Sequence, residues 1–443
     1  MPCFNRYPIL FLGCIVAFSV GCGGKPQLMP TPNLYAKDGR DPFPDVPAEL
    51  RNNKVDVLYL TDRKPLKDST PENRSYGYGR SRRVSFGVAT VEIGKDVSWE
   101  DLVAASRTAK RKIKLPLTVA RTRELVRFPP TPRTLVELPS PAERAATRPT
   151  TSPSPLEAEL DAEKAQCKAE LSARLAKTPV KEVYLLVHGY DNDFTDAVTT
   201  IAELWHFFGR QGVPIAYTWP AGRGGPLRGY TYDRESSEFT VYHLKEMLRV
   251  LASCPDLQKV HIIGHSRGTD VVVSALRELH LEFSGGGKST RQELKLATLV
   301  LAAPDLDVEV VIQRMVTARL GQVPERSALY VCQKDSALGI SNWLFGGRGR
   351  LGKLKSDLFT PQELDALRKR TSVQVIDARI SDPGPFGHSY FHANPAVSSD
   401  LVLLIRDGLI PGPGRPLRAD PKGFWYIDDR YPSLAKAKGE GGK

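Results

Sequence analysis

The chain has 443 residues, 41% of them hydrophobic and 25% charged, values near the averages of globular proteins that allow a sizeable core. This length exceeds one average domain, although some α/β enzymes use it as one domain with insertions. Its formal net charge is +12, and residues 107–148 hold eleven Lys and Arg against three Glu. No basic helix with interleaved aromatic residues accompanies this charge. This pattern favours a solvated basic surface over a nucleic-acid site. Of the functional interpretations of the charge, it favours attraction to an anionic membrane or cell-wall polymer.

Residues 1–22 predict a lipoprotein-type signal peptide. The mostly apolar run from Tyr7 to Val20 is shorter than a membrane-spanning helix. It ends in small residues followed by Cys22, a pattern that resembles the bacterial lipobox, although Ser19 stands where Leu is usual. The resemblance implies acyl chains such as palmitate on Cys22 and a membrane-anchored place in the bacterial cell envelope. An ordinary secretory signal or an uncleaved anchor is the alternative.

The next segments alternate between loop-like and strand-like composition. Residues 23–52 are rich in Pro, Gly, Asn and Asp and predict a tether, and one folded domain is expected over 53–411. Residues 129–155 are dense in Pro, Thr and Ser and predict an insertion, whereas residues 412–443 predict a loop-like tail. Strand-like runs lie at 55–60, 85–93, 113–117 and 124–128, and a helical pattern covers 156–176.

From residue 180 onward, short apolar runs alternate with amphipathic helices, which is typical of a parallel sheet built from βαβ units. Strands are predicted at 182–187, 214–219, 259–263, 295–302, 328–332 and 372–376. Helices are expected to begin near Thr195, Ser236, Arg267, Val308 and Thr360, with a last helix over 396–407. The fold class is therefore α/β, with a mostly parallel sheet flanked by helices and antiparallel strands at its N-terminal side.

Three cysteines, Cys167, Cys254 and Cys332, lie beyond the predicted signal peptide. Their wide spacing matches neither a disulfide framework nor a metal site, and we expect buried free thiols. No metal ion or organic cofactor is predicted.

The sequence from Val260 to Leu276 is a strand that runs into Gly-x-Ser-x-Gly and then an apolar helix. This is the context of a nucleophile elbow, in which Gly264 and Gly268 give room to a tight turn and Ser266 projects at the carboxyl end of the strand. The helix amino terminus adds its positive dipole at the same point. Ser266 is the predicted nucleophile.

A serine hydroxyl needs a base, and in folds with a nucleophile elbow the base follows the nucleophile in the chain. His388 lies in a Gly-rich loop after the last predicted strand and is the favoured base, with His392 as the alternative. The acid should follow a late strand. Asp335 has that position after the strand at 328–332 and is the favoured acid. Asp305, after the preceding strand, is the alternative. A purely structural role for Asp305 would be to cap the helix at Val308.

An oxyanion hole needs two backbone N–H groups near the elbow. The Arg267 amide is one candidate. The other is the Tyr190 amide, because His188 and Gly189 end an apolar strand just before it. His188 precedes the serine and is expected to brace this loop.

Several stretches together resemble an uncharacterised bacterial branch of α/β-hydrolases, an esterase- and lipase-like group of unknown function. They are Thr-Asp-Arg at 61–63, Val-His-Gly-Tyr at 187–190, Trp-Pro at 219–220, Gly-His-Ser-Arg-Gly at 264–268, Ala-Pro-Asp at 303–305 and Gly-His-Ser-Tyr-Phe at 387–391. The resemblance covers about residues 55–407 and implies Ser266, Asp335 and His388 as the catalytic triad. Ala221 follows Trp-Pro where the group often has Ser.

The sequence thus predicts a serine hydrolase, carboxylesterase- or lipase-like, that acts on a small-molecule or lipid ester. Two alternatives remain open: an amidase or peptidase that uses the same three residues, and a non-catalytic envelope lipoprotein that keeps the fold for binding.

Overall fold

The computed structural model describes residues 26–131, 155–222, 224, 228–338, 349–355, 360, 362, 372–384, 387–420 and 424–433. Three predictions therefore lie wholly or mostly outside the described residues: the signal peptide with Cys22, the insertion at 129–155 and the helix expected from Thr360.

Within the described residues, eleven strands form one sheet. They are β1 Lys54–Pro65, β2 Tyr76–Ile93, β3 Leu117–Arg127, β4 Glu182–Val187, β5 Val213–Thr218, β6 Lys259–His265, β7 Leu296–Ala302, β8 Arg326–Val331, β9 Val373–Ala378, β10 Arg418–Ala419 and β11 Trp425–Ile427. Their order is β10-β11-β9-β8-β7-β6-β4-β5-β1-β2-β3. The pairs β1–β2, β2–β3 and β10–β11 are antiparallel, and the other neighbouring pairs are parallel.

This architecture confirms the predicted mostly parallel sheet with antiparallel N-terminal strands. A parallel strand covered on both faces must be continuously apolar, and β4 is buried from Val183 to Val187. Because the parallel strands run in one direction, the loops that follow them gather at one edge of the sheet, here called the carboxyl edge. The opposite edge is called the amino edge.

Helices cover both faces of the sheet. They are α1 Asn33–Ala36, α2 Trp99–Ser106, α3 Pro155–Ala176, α4 Phe194–Phe207, α5 Arg228–Ala252, α6 Gly268–Gly285, α7 Thr290–Leu294, α8 Val308–Val311, α9 Tyr390–Ala393 and α10 Pro395–Leu401, which a π-helical turn continues over Val402–Arg406. Helices α4 and α10 pack in one apolar core, and α3, α5 and α6 pack in a second on the other face. None of the described helices combines the length and apolarity that crossing a bilayer requires.

Several element boundaries differ from the sequence predictions. Strand β1 continues to Pro65 and β2 begins at Tyr76, so most of the polar stretch predicted to be a loop between residues 60 and 85 belongs to these two strands. Helix α5 begins at Arg228, eight residues before Ser236, because its first turns are held from outside: Tyr232 Oη donates to the Tyr78 carbonyl at 2.9 Å. Strand β3 begins at Leu117, so most of the run predicted at 113–117 is loop, where Ile113 is 42% exposed.

The described parts of the predicted tether and tail are packed against the domain. Leu28 and Tyr35 are buried, and the Asn33 side chain donates to the Tyr431 carbonyl at 2.7 Å. Strand β11 extends the sheet beside β9. Residues 26–35 and 424–433 therefore differ from the predicted free tether and loop-like tail, because a few buried side chains tie each segment to the core.

Candidate active site

Ser266 occupies the tight turn between β6 and α6. Its φ of +52° lies in the left-handed region, which residues with a side chain rarely adopt. The Ser266 N–H donates to the Ala302 carbonyl at 2.9 Å, and the Ser266 carbonyl accepts from Thr269 Oγ1 at 2.6 Å. These bonds hold the strained serine at the carboxyl edge, at the positive end of the α6 dipole.

Glycines allow the backbone to close around Ser266. A Cβ at Gly268 would lie 2.2 Å from the His188 carbonyl oxygen, and a Cβ at Gly189 would lie 2.6 Å from Cβ of Ser266. The approach at Gly264 is less severe, since its Cβ would lie 3.2 Å from Cα of Thr269. Gly189 thus serves the elbow as directly as the two motif glycines, a role that sequence reasoning missed.

His388 and Asp335 are brought together across two loops. Nδ1 of His388 lies 2.7 Å from Oδ2 of Asp335, whose side chain is fully buried. The other carboxylate oxygen of Asp335 accepts from the Leu338 N–H at 3.0 Å. Gly387 has a φ of +69°, and a Cβ there would lie 2.5 Å from the Lys334 carbonyl oxygen, so this loop can close on Asp335 only with glycine.

His265 connects this pair to the elbow. Its ring lies 4.9 Å from the His388 ring, centroid to centroid, and its Nε2 lies 3.2 Å from the His388 carbonyl oxygen. A carbonyl only accepts, so Nε2 of His265 carries the hydrogen. Burial, with the nearby His388 and His392, holds the pKa of His265 well below its usual value. His265 is therefore a neutral donor that fixes the His388 backbone beside Ser266, which the spacing of the motif could not reveal.

The alternative acid and base have other partners. Asp305 accepts from Tyr230 Oη at 3.0 Å and lies 3.4 Å from Nε of Arg350. Asp307, and not Asp305, caps the helix at Val308, because its Oδ1 accepts from the N–H groups of Glu309 and Val310. His392 pairs with Glu203 at 2.6 Å. The structure thus brings His388 and Asp335 into contact, whereas Asp305 and His392 each contact other residues.

The loop after β4 contains the candidate oxyanion donor Tyr190. The neighbouring amides are engaged: Gly189 N–H donates to Asn192 Oδ1 at 3.2 Å and Asp191 N–H donates to Asp233 Oδ2 at 2.9 Å. Burial raises the pKa of Asp233 to about 6. These contacts fix the loop at the carboxyl edge, where Gly189 packs against Ser266 and Arg267 directly precedes α6.

His188 braces this loop from beneath. Its Nε2 accepts from the Trp219 N–H at 3.0 Å and lies 3.3 Å from Nη2 of Arg63, and its ring stacks on Trp219. Burial and the Arg63 charge lower the pKa of His188 to about 3, so it is neutral at physiological pH. Arg63 is itself buried and donates to the Asn192 and Ala221 carbonyls. A charged residue near the end of an apolar strand was the sequence signal for this role.

Among the described side chains, no three His, Cys, Asp or Glu converge in a way that could hold a metal ion. Cys167, Cys254 and Cys332 are buried free thiols, as expected.

A family model described as "Alpha/beta hydrolase of unknown function (DUF900)" matches residues 163–406, more than half of the chain. The chain belongs to this family. The matched range of this α/β hydrolase begins in α3 and includes the elbow, the His388–Asp335 pair and both alternatives. Membership supports a hydrolytic activity and confirms the resemblance at the level of the fold family. A search among curated proteins found no match.

Proposed function

We propose that this α/β hydrolase is a serine hydrolase that cleaves a carboxylic ester through an acyl-enzyme intermediate. The observation that carries the proposal is the 2.7 Å contact between His388 Nδ1 and Asp335 Oδ2, in a loop that touches the elbow through His265. A carboxylate bound to Nδ1 leaves Nε2 as the proton acceptor.

In the proposed reaction, Ser266 Oγ attacks the ester carbonyl while His388 takes its proton. The amides of Tyr190 and Arg267 hold the oxyanion, and the positive end of α6 favours the same charge. Collapse of this tetrahedral intermediate breaks the ester C–O bond, and the imidazolium of His388 protonates the leaving alcohol. Water then attacks the acyl-enzyme with His388 again as base, which releases the acid and restores Ser266.

We further propose that the protein is held at a membrane of the bacterial cell envelope by lipid on Cys22. The signal-like residues 1–22 support this proposal. The substrate is then a small-molecule or lipid ester, and no nucleic acid takes part.

Labelling by a fluorophosphonate probe tests the serine mechanism. We expect the wild type to be labelled and Ser266→Ala to be unlabelled with an unchanged circular dichroism spectrum. Ser274→Ala, about two turns beyond Ser266 and within α6, is the matched control and should label normally. An unlabelled, folded wild type would favour the non-catalytic binding protein. Comparison of a matched ester and amide as substrates separates the esterase from the amidase.

A further inference from the structure

Residues 107–114, in the loop between α2 and β3, include five Lys and Arg and no acidic residue, and are called the basic loop below. Lys110, Lys112 and Lys114 are exposed. Ile113, between two of these lysines, is 42% exposed. The loop therefore presents an apolar tip flanked by positive charge.

The remaining cations of the basic loop have protein partners. Arg107 pairs with Asp41 at 2.6 Å. Arg111 donates to the Leu28 carbonyl at 2.7 Å and to the Met29 carbonyl at 2.6 Å. Arg111 thus holds the first described segment of the chain against the basic loop.

Backbone bonds hold the same segment. Leu28 N–H donates to the Leu115 carbonyl at 2.8 Å, and Leu117 N–H donates to the Pro26 carbonyl at 2.7 Å. Three residues lie between Cys22 and Pro26, so the four residue steps between them reach about 14 Å when fully extended. Lipid on Cys22 would therefore bring the basic loop to the bilayer surface, and this step rests on the anchor proposed above.

The basic loop lies at the amino edge of the sheet. Leu117 pairs with Ile93, next to the pairing of Lys54 with Glu92 where β1 begins, and β1 runs parallel to β5. Ser266, by contrast, follows the last residue of β6. A seven-residue strand spans about 23 Å, so the anchored end and the catalytic serine lie at opposite edges of the sheet.

We infer that the basic loop docks on anionic lipid headgroups of the bilayer that holds Cys22, so that the catalytic edge faces away from that bilayer. Lysines near a membrane surface are attracted to anionic lipid, and an exposed isoleucine between them can enter the interface. A lipid anchor combined with a basic patch gives stable attachment. The site then receives esters from the aqueous compartment and not lipids of its own bilayer.

The carboxyl edge offers a matched rival surface. Leu66 follows β1 at that edge, is 51% exposed and lies between the exposed Lys64 and Lys67. Docking through Leu66 would turn the catalytic edge toward the lipid. The two tips have similar chemistry, so the attachment of Pro26 to the basic loop is the feature that separates them.

Depth-dependent fluorescence quenching tests the orientation on the full chain. The protein is reconstituted into phosphatidylcholine vesicles with or without phosphatidylglycerol, each containing nitroxide-labelled lipid. A fluorophore is attached at Ile113→Cys or at Leu66→Cys, and the signal of the labelled parent chain is subtracted. Charge reversal is compared between Lys112→Glu/Lys114→Glu and the matched control Lys64→Glu/Lys67→Glu.

We expect quenching at position 113 to exceed that at position 66 at least threefold and to require phosphatidylglycerol. The Lys112→Glu/Lys114→Glu pair should at least halve it, and the Lys64→Glu/Lys67→Glu pair should leave it unchanged. Equal or stronger quenching at position 66, or quenching at 113 that ignores lipid charge, overturns the inference. A full chain that does not sediment with vesicles overturns it together with the anchor, while fluorophosphonate labelling of Ser266 still reports the proposed activity separately.

Discussion

Nδ1 of His388 lies 2.7 Å from Oδ2 of Asp335, although 53 residues separate them in the chain. The carboxylate accepts this hydrogen bond, so Nδ1 carries the hydrogen and Nε2 is left with its lone pair. Asp335 is fully buried and the His388 side chain is 17% exposed. The pair therefore presents the accepting nitrogen of a fixed tautomer, as a general base requires.

Replacement of this carboxylate by an amide should remove the orientation of His388. We expect Asp335→Asn to lower kcat on a soluble ester by on the order of 10³- to 10⁴-fold, because the wrong tautomer becomes favoured. Asp305→Asn is the matched control and should cost less than about tenfold, since Asp305 contacts Tyr230 and Arg350. Steady-state measurement of kcat for both variants tests the assignment of the acid. A larger loss in Asp305→Asn would make Asp305 the acid.

The elements that position this pair could be predicted from local pattern. The apolar run of β4 and the strand-turn-helix around Ser266 each carry their signal within a few residues. Asp335 and His388 could be proposed because each follows a predicted strand. The sequence spacing does not show whether these two side chains meet, and the structure shows that they do.

Features that depend on contacts between distant segments could not be predicted. The roles of His265 and Gly189 depend on contacts between segments that are distant in the chain, and no local periodicity encodes such contacts. The polar composition of residues 26–35 likewise predicts a tether, while the burial of Tyr35 depends on a bond to the Phe207 carbonyl, 172 residues away.

Close packing at the elbow predicts a strict requirement for glycine at the start of α6. We expect Gly268→Ala to abolish fluorophosphonate labelling and to lower the free energy of unfolding by about 3 kcal/mol, because its Cβ would overlap the His188 carbonyl. Gly285→Ala at the other end of α6 meets no atom within 4 Å and should be neutral or stabilising. Labelling and urea unfolding measure both variants. A fully active, stable Gly268→Ala protein would contradict the described turn.

Buried neutral histidines predict a loss of stability in acid. The folded pKa of His188 is about 3 and its unfolded pKa is near 6.5, so between these values the unfolded chain binds the extra proton. Unfolding free energy should therefore fall by about 1.4 kcal/mol per pH unit below 6.5 on account of His188. Burial lowers the pKa values of His206 and His265 in the same direction. Asp233, with its pKa raised to about 6, contributes with the opposite sign below that pH.

A variant separates the His188 contribution from the other groups. His188→Asn keeps an acceptor for the Trp219 N–H but cannot titrate. We expect its unfolding free energy, measured in urea between pH 7 and 4.5, to fall less steeply than that of the wild type by about 1.4 kcal/mol per pH unit. Identical slopes for the two proteins would show that His188 binds its proton in the folded state as well.

The C-terminal segment should prove necessary for the stability of the domain. Arg415 forms two hydrogen bonds with Asp400, at 2.8 and 2.6 Å, and both side chains are fully buried. We expect Arg415→Met to lower the free energy of unfolding by about 3–5 kcal/mol, because it leaves the Asp400 carboxylate buried without its cation. Arg430→Met, which removes an exposed partner of Asp428, should leave the urea midpoint unchanged. If Arg415→Met unfolded like the wild type, residues 412–433 would be the dispensable tail that their composition suggests, and the packing of this segment on β9 would not contribute to folding.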